Sequence, residues 1–179
     1  MNHPRHFNLL ARVLHWSMAV AILAMLFIGA AMVVTLRYRE VLIDLHRPLG
    51  LAILLLAIVR LVNRLMHPPP PFPADLPRIQ AWAAKASHWA LYALMLALPL
   101  IGWAMLSAGA YPVVLFGGVN LPPLLPHSPV MYGILRPLHG ILAYVLFLTI
   151  LLHLAAALYH AWVRRDGVFG QMARGERGG

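Results

Sequence analysis

Two histidines, His139 and His153, stand fourteen residues apart inside one apolar stretch, 137–162. Fourteen residues are close to four turns of α-helix, so both imidazoles share a face, about 21 Å apart along the axis. That spacing sets one near each face of a hydrocarbon core about 30 Å thick. An ionisable residue inside a membrane helix is a functional-site hypothesis by default. Two on one face suggest two stacked metal centres, and imidazole is a common protein ligand of haem iron.

The chain has ten histidines. His3, His6, His67 and His127 fall at the terminus or in loops and read as solvated or headgroup-level residues. His15, His46, His88, His139, His153 and His160 fall in or beside apolar segments.

The elements that must carry these six follow from hydropathy. Of 179 residues, 61% are hydrophobic and 11% charged, and the mean hydropathy is +0.76. A soluble domain is about half apolar and a quarter charged. The chain therefore reads as a single membrane domain, 1–179, of all-α class: a four-transmembrane-helix bundle with helices at about 13–36, 42–65, 79–107 and 137–163. These runs lack the alternation of a barrel strand, and lipid leaves helices as the remaining way to satisfy the backbone. The first segment is too long for a signal-peptide core and reads as a retained helix. Pro99 predicts a kink in the third span.

Cysteine is absent, which excludes disulfides, thiolate metal sites, covalent haem attachment and Cys-built iron–sulfur clusters. Basic residues exceed acidic ones by nine, but they flank apolar runs. They read as topology signals and lipid contacts rather than a nucleic-acid surface. Arg5, Arg12, Arg60, Arg64, Arg78, Lys85, Arg164, Arg165, Arg174 and Arg177 fall on one side. Arg37, Arg39, Arg47 and Arg136 fall on the other. The positive-inside rule puts the first side, and both termini, in the cytoplasm.

Depth then pairs the histidines. His46 and His139 are the near-span histidines of the outer side, and together they make an outer pair. On the inner side, His153 pairs with either His15 or His88. Iron held by two histidines has no open position, which favours electron transfer over oxygen binding. Gly140 beside His139, Gly50 one turn after His46, and Ala155 to Ala157 after His153 suggest close packing beside the rings. The connection 67–77, with six prolines in eleven residues, reads as extended and semi-rigid. The stretch 107–136 reads as a surface segment on the outer side, with room for a short interfacial helix.

The ordered motifs His15-Trp16, "DLHRPLGLAILLLAIVRLVNRL", "SHWALYALMLALPLIGWAM", "LHGILAY" and "LLHLAAALYH" resemble the bacterial cytochrome b-561 family. That family is related to the membrane cytochrome b subunits of formate dehydrogenase and nickel-iron hydrogenase. The resemblance covers about residues 8–170. It implies two haem b groups, with His15 and His153 on the inner one and His46 and His139 on the outer one. It also implies a quinone beside the inner haem, with His88, His160 and Arg78 as candidate contacts and Lys85 a weaker one.

The chain has no sizeable soluble extension for a catalytic partner. It is therefore similar to the stand-alone members, which look like superoxide oxidases of the bacterial inner membrane and pass electrons from superoxide to ubiquinone. Superoxide is an anion, so Arg37, Arg39, Arg47 and Arg136 are candidates for steering it; Glu40 and Asp44 leave that face only net +2. Snorkelling at the interface, or pairing with a haem carboxylate, are competing roles for the same arginines.

Three other readings fit the residues. A membrane anchor would pass electrons between quinone and a separate, periplasmic redox partner. A haem-free transporter would use His and Met along a path, although the nine methionines are scattered. An assembly factor would use the bundle only as structure.

Overall fold

The computed structural model describes residues 6–115 and 118–173. His3, Arg5, Arg174 and Arg177 therefore lie outside the described residues. Four long helices dominate: α1 (Leu9–Val34), α2 (Arg39–Met66), α3 (Arg78–Ala108) and α4 (Pro129–Leu158). A π-helical turn, Tyr159–Arg164, and a short α5, Val168–Ala173, follow. Each of the four is long and apolar enough to cross a membrane. The fold is the all-α four-span bundle expected from hydropathy.

Local chemistry sets the ends. The Asn8 side chain accepts a hydrogen bond from the Ala11 amide at 2.7 Å and opens α1. Ser128 does the same for Met131 at 3.3 Å, and Pro129 occupies the first turn of α4. That cap starts α4 eight residues before the apolar run at Pro137, which lies within the helix. Pro99 likewise sits within an unbroken α3.

Among the described residues no interfacial helix forms in the loop before α4. A two-residue antiparallel hairpin, β1 (Val113–Val114) with β2 (Asn120–Leu121), occupies it instead. Side chains pin that loop to α3: Trp103 Nε1 donates to the Pro122 carbonyl at 3.0 Å, and Ser107 Oγ accepts from the Leu124 amide at 3.0 Å.

Close backbone packing runs between α1 and α2, between α3 and α4, and to a lesser extent between α2 and α3. The bundle is thus two helical hairpins. α4 has no comparable backbone packing on α1 or α2, so side chains must bridge that seam.

Those side chains fall in a seven-residue register, two helical turns per step. Ile22, Ile53, Met95 and Leu146, one from each long helix, belong to the same buried core cluster. Seven residues away in one direction are Gly29, His46, Gly102 and His139. Seven away in the other are His15, Arg60, His88 and His153. The molecule is built as three layers, with an apolar plug between two polar ones.

The side that holds both termini is closed by polar contacts. Asn8 and the buried Asn63 exchange side-chain amide hydrogen bonds at 3.2 and 3.4 Å. Beyond α4, the His160 ring nitrogen Nδ1 meets Asp166 Oδ2 at 2.6 Å. Arg164 donates to Asp166 at 3.0 Å and to Asp75 at 2.7 Å. Arg165 takes a left-handed conformation, φ 53°, to make the turn.

The Asp166 side chain is only 11% exposed. Burial pushes its carboxyl up, but hydrogen bonds from His160, the Val168 amide and Arg164 outweigh this and hold it below the usual carboxylate range. A depressed carboxyl stabilises the native contact above its unfolded value, about pH 4, and that stabilisation fades as the pH falls through the folded value. The segment after Arg164 should therefore stay docked from pH 8 to pH 5 and release below about pH 4. In Asp166→Asn it should be loose throughout. Hydrogen exchange over 165–173 across that pH range checks both, and protection in the variant equal to wild type would rule the latch out.

Candidate functional site

The outer polar layer brings His46 of α2 and His139 of α4 together, with ring centres 6.2 Å apart. In the inner layer His15 of α1 and His153 of α4 lie 6.3 Å apart. Both pairs span the seam where the backbones do not pack. An imidazole nitrogen binds a first-row metal at about 2.0 Å and sits about 1.1 Å from its own ring centre, so two coaxial imidazoles on one ion have centres about 6 Å apart. Both pairs match that spacing.

Burial supports the same reading. His15 Nδ1, His46 Nδ1 and His139 Nδ1 are buried and have no hydrogen-bond partner. An unmet ring nitrogen in an apolar interior is costly, so helix packing alone does not account for these rings. Among the described residues no three His, Asp or Glu side chains converge on a point. Two imidazoles per site suit a macrocycle that brings its own in-plane nitrogens, and haem is such a group.

Space is made beside the outer pair by glycines on the other two helices. A Cβ on Gly102 would lie 3.2 Å from His139 Cε1, and one on Gly29 would lie 3.8 Å from His46 Cε1. These are not the glycines that sequence neighbourhood pointed to. A Cβ on Gly50 would face Met25 at 3.6 Å, and one on Gly140 would meet nothing within 4 Å. Ala155 and Ala156 are exposed. The signal that finds Gly29 and Gly102 is the seven-residue register, two steps from His15 and His88.

The inner layer is built differently. His88 of α3 lies 5.5 Å from His153, ring centre to ring centre, and so is as near to that ring as His15 is. Arg60 of α2 completes the layer, reaching the Ala11 carbonyl with Nη1 at 3.3 Å. Sequence reading treated Arg60 as a topology signal, yet it is partly buried in a membrane-spanning helix. Next to it, Arg64 stacks over Tyr92 at 5.6 Å and Trp89 at 6.0 Å.

The remaining candidates separate. His160 belongs to the Asp166 latch rather than to the inner layer. Arg78 and Lys85 are exposed on the first turns of α3. Arg37, Arg39 and Arg136 are exposed on the opposite side. Arg47 is not: its side chain is 20% exposed, its Nε is buried without a partner, and its nearest carboxylate, Asp44, is 3.9 Å away and open to solvent.

Comparison with known proteins gives the family. The family model described as prokaryotic cytochrome b561 matches residues 6–175. The chain is 28% identical to cytochrome b561 homolog 2 of Escherichia coli over 176 residues, covering 96% of this chain and 93% of that protein. It is 33% identical to the probable superoxide oxidase CybB of Yersinia pestis over 139 residues, covering 75% of this chain and 76% of that protein.

The Gly102 contact yields a test. Gly102→Val, whose branches extend beyond the 3.2 Å Cβ position, should displace the His139 ring and lower haem b per polypeptide. Gly29→Ala, with 3.8 Å of clearance, should leave haem content near wild type. Pyridine haemochrome on both purified variants reads the difference, and equal haem in both would remove the spacing role of Gly102.

Proposed function

The chain belongs to the prokaryotic cytochrome b561 family, membrane electron-transfer proteins that bind haem b, and from that premise we propose that it is a di-haem superoxide:ubiquinone oxidoreductase of the bacterial inner membrane. The observation that carries this reading is the two cross-helix imidazole pairs stacked one above the other. His46 and His139 would hold the outer haem, and His15 and His153 the inner one. When bound, haem would supply a one-electron carrier.

The chain does the rest. Two superoxide ions each give up one electron at the outer side and leave as dioxygen. Ubiquinone takes the two electrons and two protons at the inner side and leaves as ubiquinol. Outer-sphere donation needs no open iron position, so the His46–His139 pair is compatible with superoxide as donor. Ile22, Ile53, Met95 and Leu146 form a dry layer between the two levels, which excludes water from the bundle interior.

His88 is the leading quinone contact because it stands in the inner layer beside His153 and offers a ring nitrogen that can hydrogen-bond a quinone carbonyl. His160, partnered by Asp166, and Arg78, exposed on the first turn of α3, are the secondary quinone candidates. A name borne by a relative, probable superoxide oxidase, supports the donor assignment, as do the exposed Arg37, Arg39 and Arg136.

The deciding experiment combines stoichiometry and turnover. Purified protein should carry close to two haem b per chain, and superoxide generated outside vesicles should reduce ubiquinone. His88→Ala should slow quinone reduction while both haems still reduce. Two haems without superoxide-driven turnover would overturn the donor and leave a membrane anchor that serves a protein partner. No haem would overturn the reading altogether.

Steering is tested separately. Replacing Arg37, Arg39 and Arg136 by Gln should lower the superoxide rate by about tenfold at low salt and flatten its salt dependence, because long-range attraction is screened beyond about 10 Å at 0.1 M. Unchanged kinetics would assign those arginines to the lipid interface.

A further inference from the structure

The two polar layers differ in charge as well as in shape. At the outer level the positions not held by histidine are Gly29 and Gly102, which carry no charge. At the inner level they are His88 and Arg60. Arg60 shares the register level of His15, His88 and His153, and its guanidinium reaches the Ala11 carbonyl of α1, one turn before His15.

Among the described residues no carboxylate neutralises that charge. The chain has five acidic residues, of which four are described. Glu40 and Asp44 lie at the outer end of α2. Asp75 and Asp166 are both engaged by Arg164. Among the described residues Arg60 forms no ion pair, and the groups it hydrogen-bonds, the Ala11 carbonyl and the Tyr92 side chain, are not carboxylates. Its cationic neighbour Arg64 adds to the field rather than cancelling it.

At the outer level, Arg47 does carry charge beside His46. It is accompanied by Asp44 at 3.9 Å, and Glu40 lies one further turn toward the start of α2. Among the described residues the inner level has no such counter-charge.

We propose that Arg60 sets the direction of electron flow: its unneutralised guanidinium, held in the layer of His15, His88 and His153, stabilises the electron on the inner side of the membrane. Adding an electron to a centre near a fixed cation is favoured, and the effect is larger where the surroundings are apolar than in water. Arg60 is a positioning residue in this role, because it acts through the redox centre and not on the substrate. Histidine ligation is the same at the two levels, so the ligands themselves supply no bias. The bias comes from what completes each layer, glycine outside and arginine inside. The inference rests on the di-haem reading of the preceding section.

The test is a spectroelectrochemical titration of the purified holoprotein, with each haem assigned by a ligand variant, His46→Ala for the outer and His15→Ala for the inner. In Arg60→Gln the inner midpoint should move negative while the outer midpoint stays in place. Arg60→Lys, which keeps the charge, should retain the wild-type order. Arg60→Met, apolar and of similar reach, should reproduce the shift where the amide destabilises the bundle. Two assigned haems whose midpoints are both unmoved in Arg60→Gln and Arg60→Met would overturn the proposal and leave the di-haem reading standing. Equal shifts of both haems, or a shift in Arg60→Lys as large as in Arg60→Gln, would also overturn it, since a purely structural role predicts those. Fewer than two haems in the wild type would instead refute the reading beneath it.

Discussion

The structure turns on one constraint: an imidazole buried in a membrane bundle needs a partner at the same depth on another helix. Water is not there to satisfy it, and an unmet polar group in the hydrocarbon costs several kcal/mol. A helix can meet the requirement twice only if its two histidines are separated by a whole number of turns. His139 and His153 are, and α4 therefore presents one ring to α2 and one to α1. The other three long helices keep step with α4 at seven-residue intervals, so that each depth is served by one residue from each helix. Leu146, midway between the two α4 histidines, belongs to the buried cluster that separates the levels.

Shared register does not make the layers equivalent. At the outer level α1 and α3 contribute glycine rather than histidine, and a Cβ at Gly102 would press on His139. The inner layer keeps full-length polar side chains on the equivalent helices. One layer offers shape and the other offers shape plus hydrogen-bonding and charge. A centre that only relays electrons has no need of proton-handling groups nearby, whereas one that hands electrons to a quinone does. The asymmetry of Gly102 against His88, at the same position of one helix two register steps apart, is where the two tasks part.

Much of this was legible in the chain. Four spans stand out because lipid selects long apolar runs, and no tertiary detail can blur a signal of that length. The candidate pairs were legible because depth is nearly a linear function of residue number in a helix. What failed was inference by adjacency. Gly140 and Gly50 are near the histidines in sequence, but Gly140 points about 100° away from His139 and Gly50 lies one turn along the axis from His46, and the residues facing a ring come from other helices. Arg60 was hidden for a similar reason. Counted with the flanking arginines, it looked like a topology signal, and only its register with His46 and Ile53 reveals an interior position. The Asp166 latch depends on a π-turn and a left-handed Arg165, which no periodicity announces. The early start of α4 was in plain view as Ser128-Pro129, but hydropathy alone puts the boundary at Pro137.

The placement of the histidine pairs also bears on how the bundle holds together. Backbone packing joins α1 to α2 and α3 to α4, and both imidazole pairs cross from the first hairpin to α4, where such packing is thin. In lipid there is little hydrophobic force between helices, so contacts of this kind carry a large share of association. A group gripped between His46 and His139, or between His15 and His153, therefore clamps the two hairpins as well as occupying a site. Anything bound by the assembled bundle and not by the separated hairpins stabilises assembly by RT ln(1 + L/Kd), where L is its free concentration. Two such clamps at separate depths resist both sliding and splaying of α4, which a single one does not. Cofactor loading and closure of the α4 seam are then one equilibrium, and the fixed distance between the two layers follows from the same fourteen residues of helix that first suggested a function.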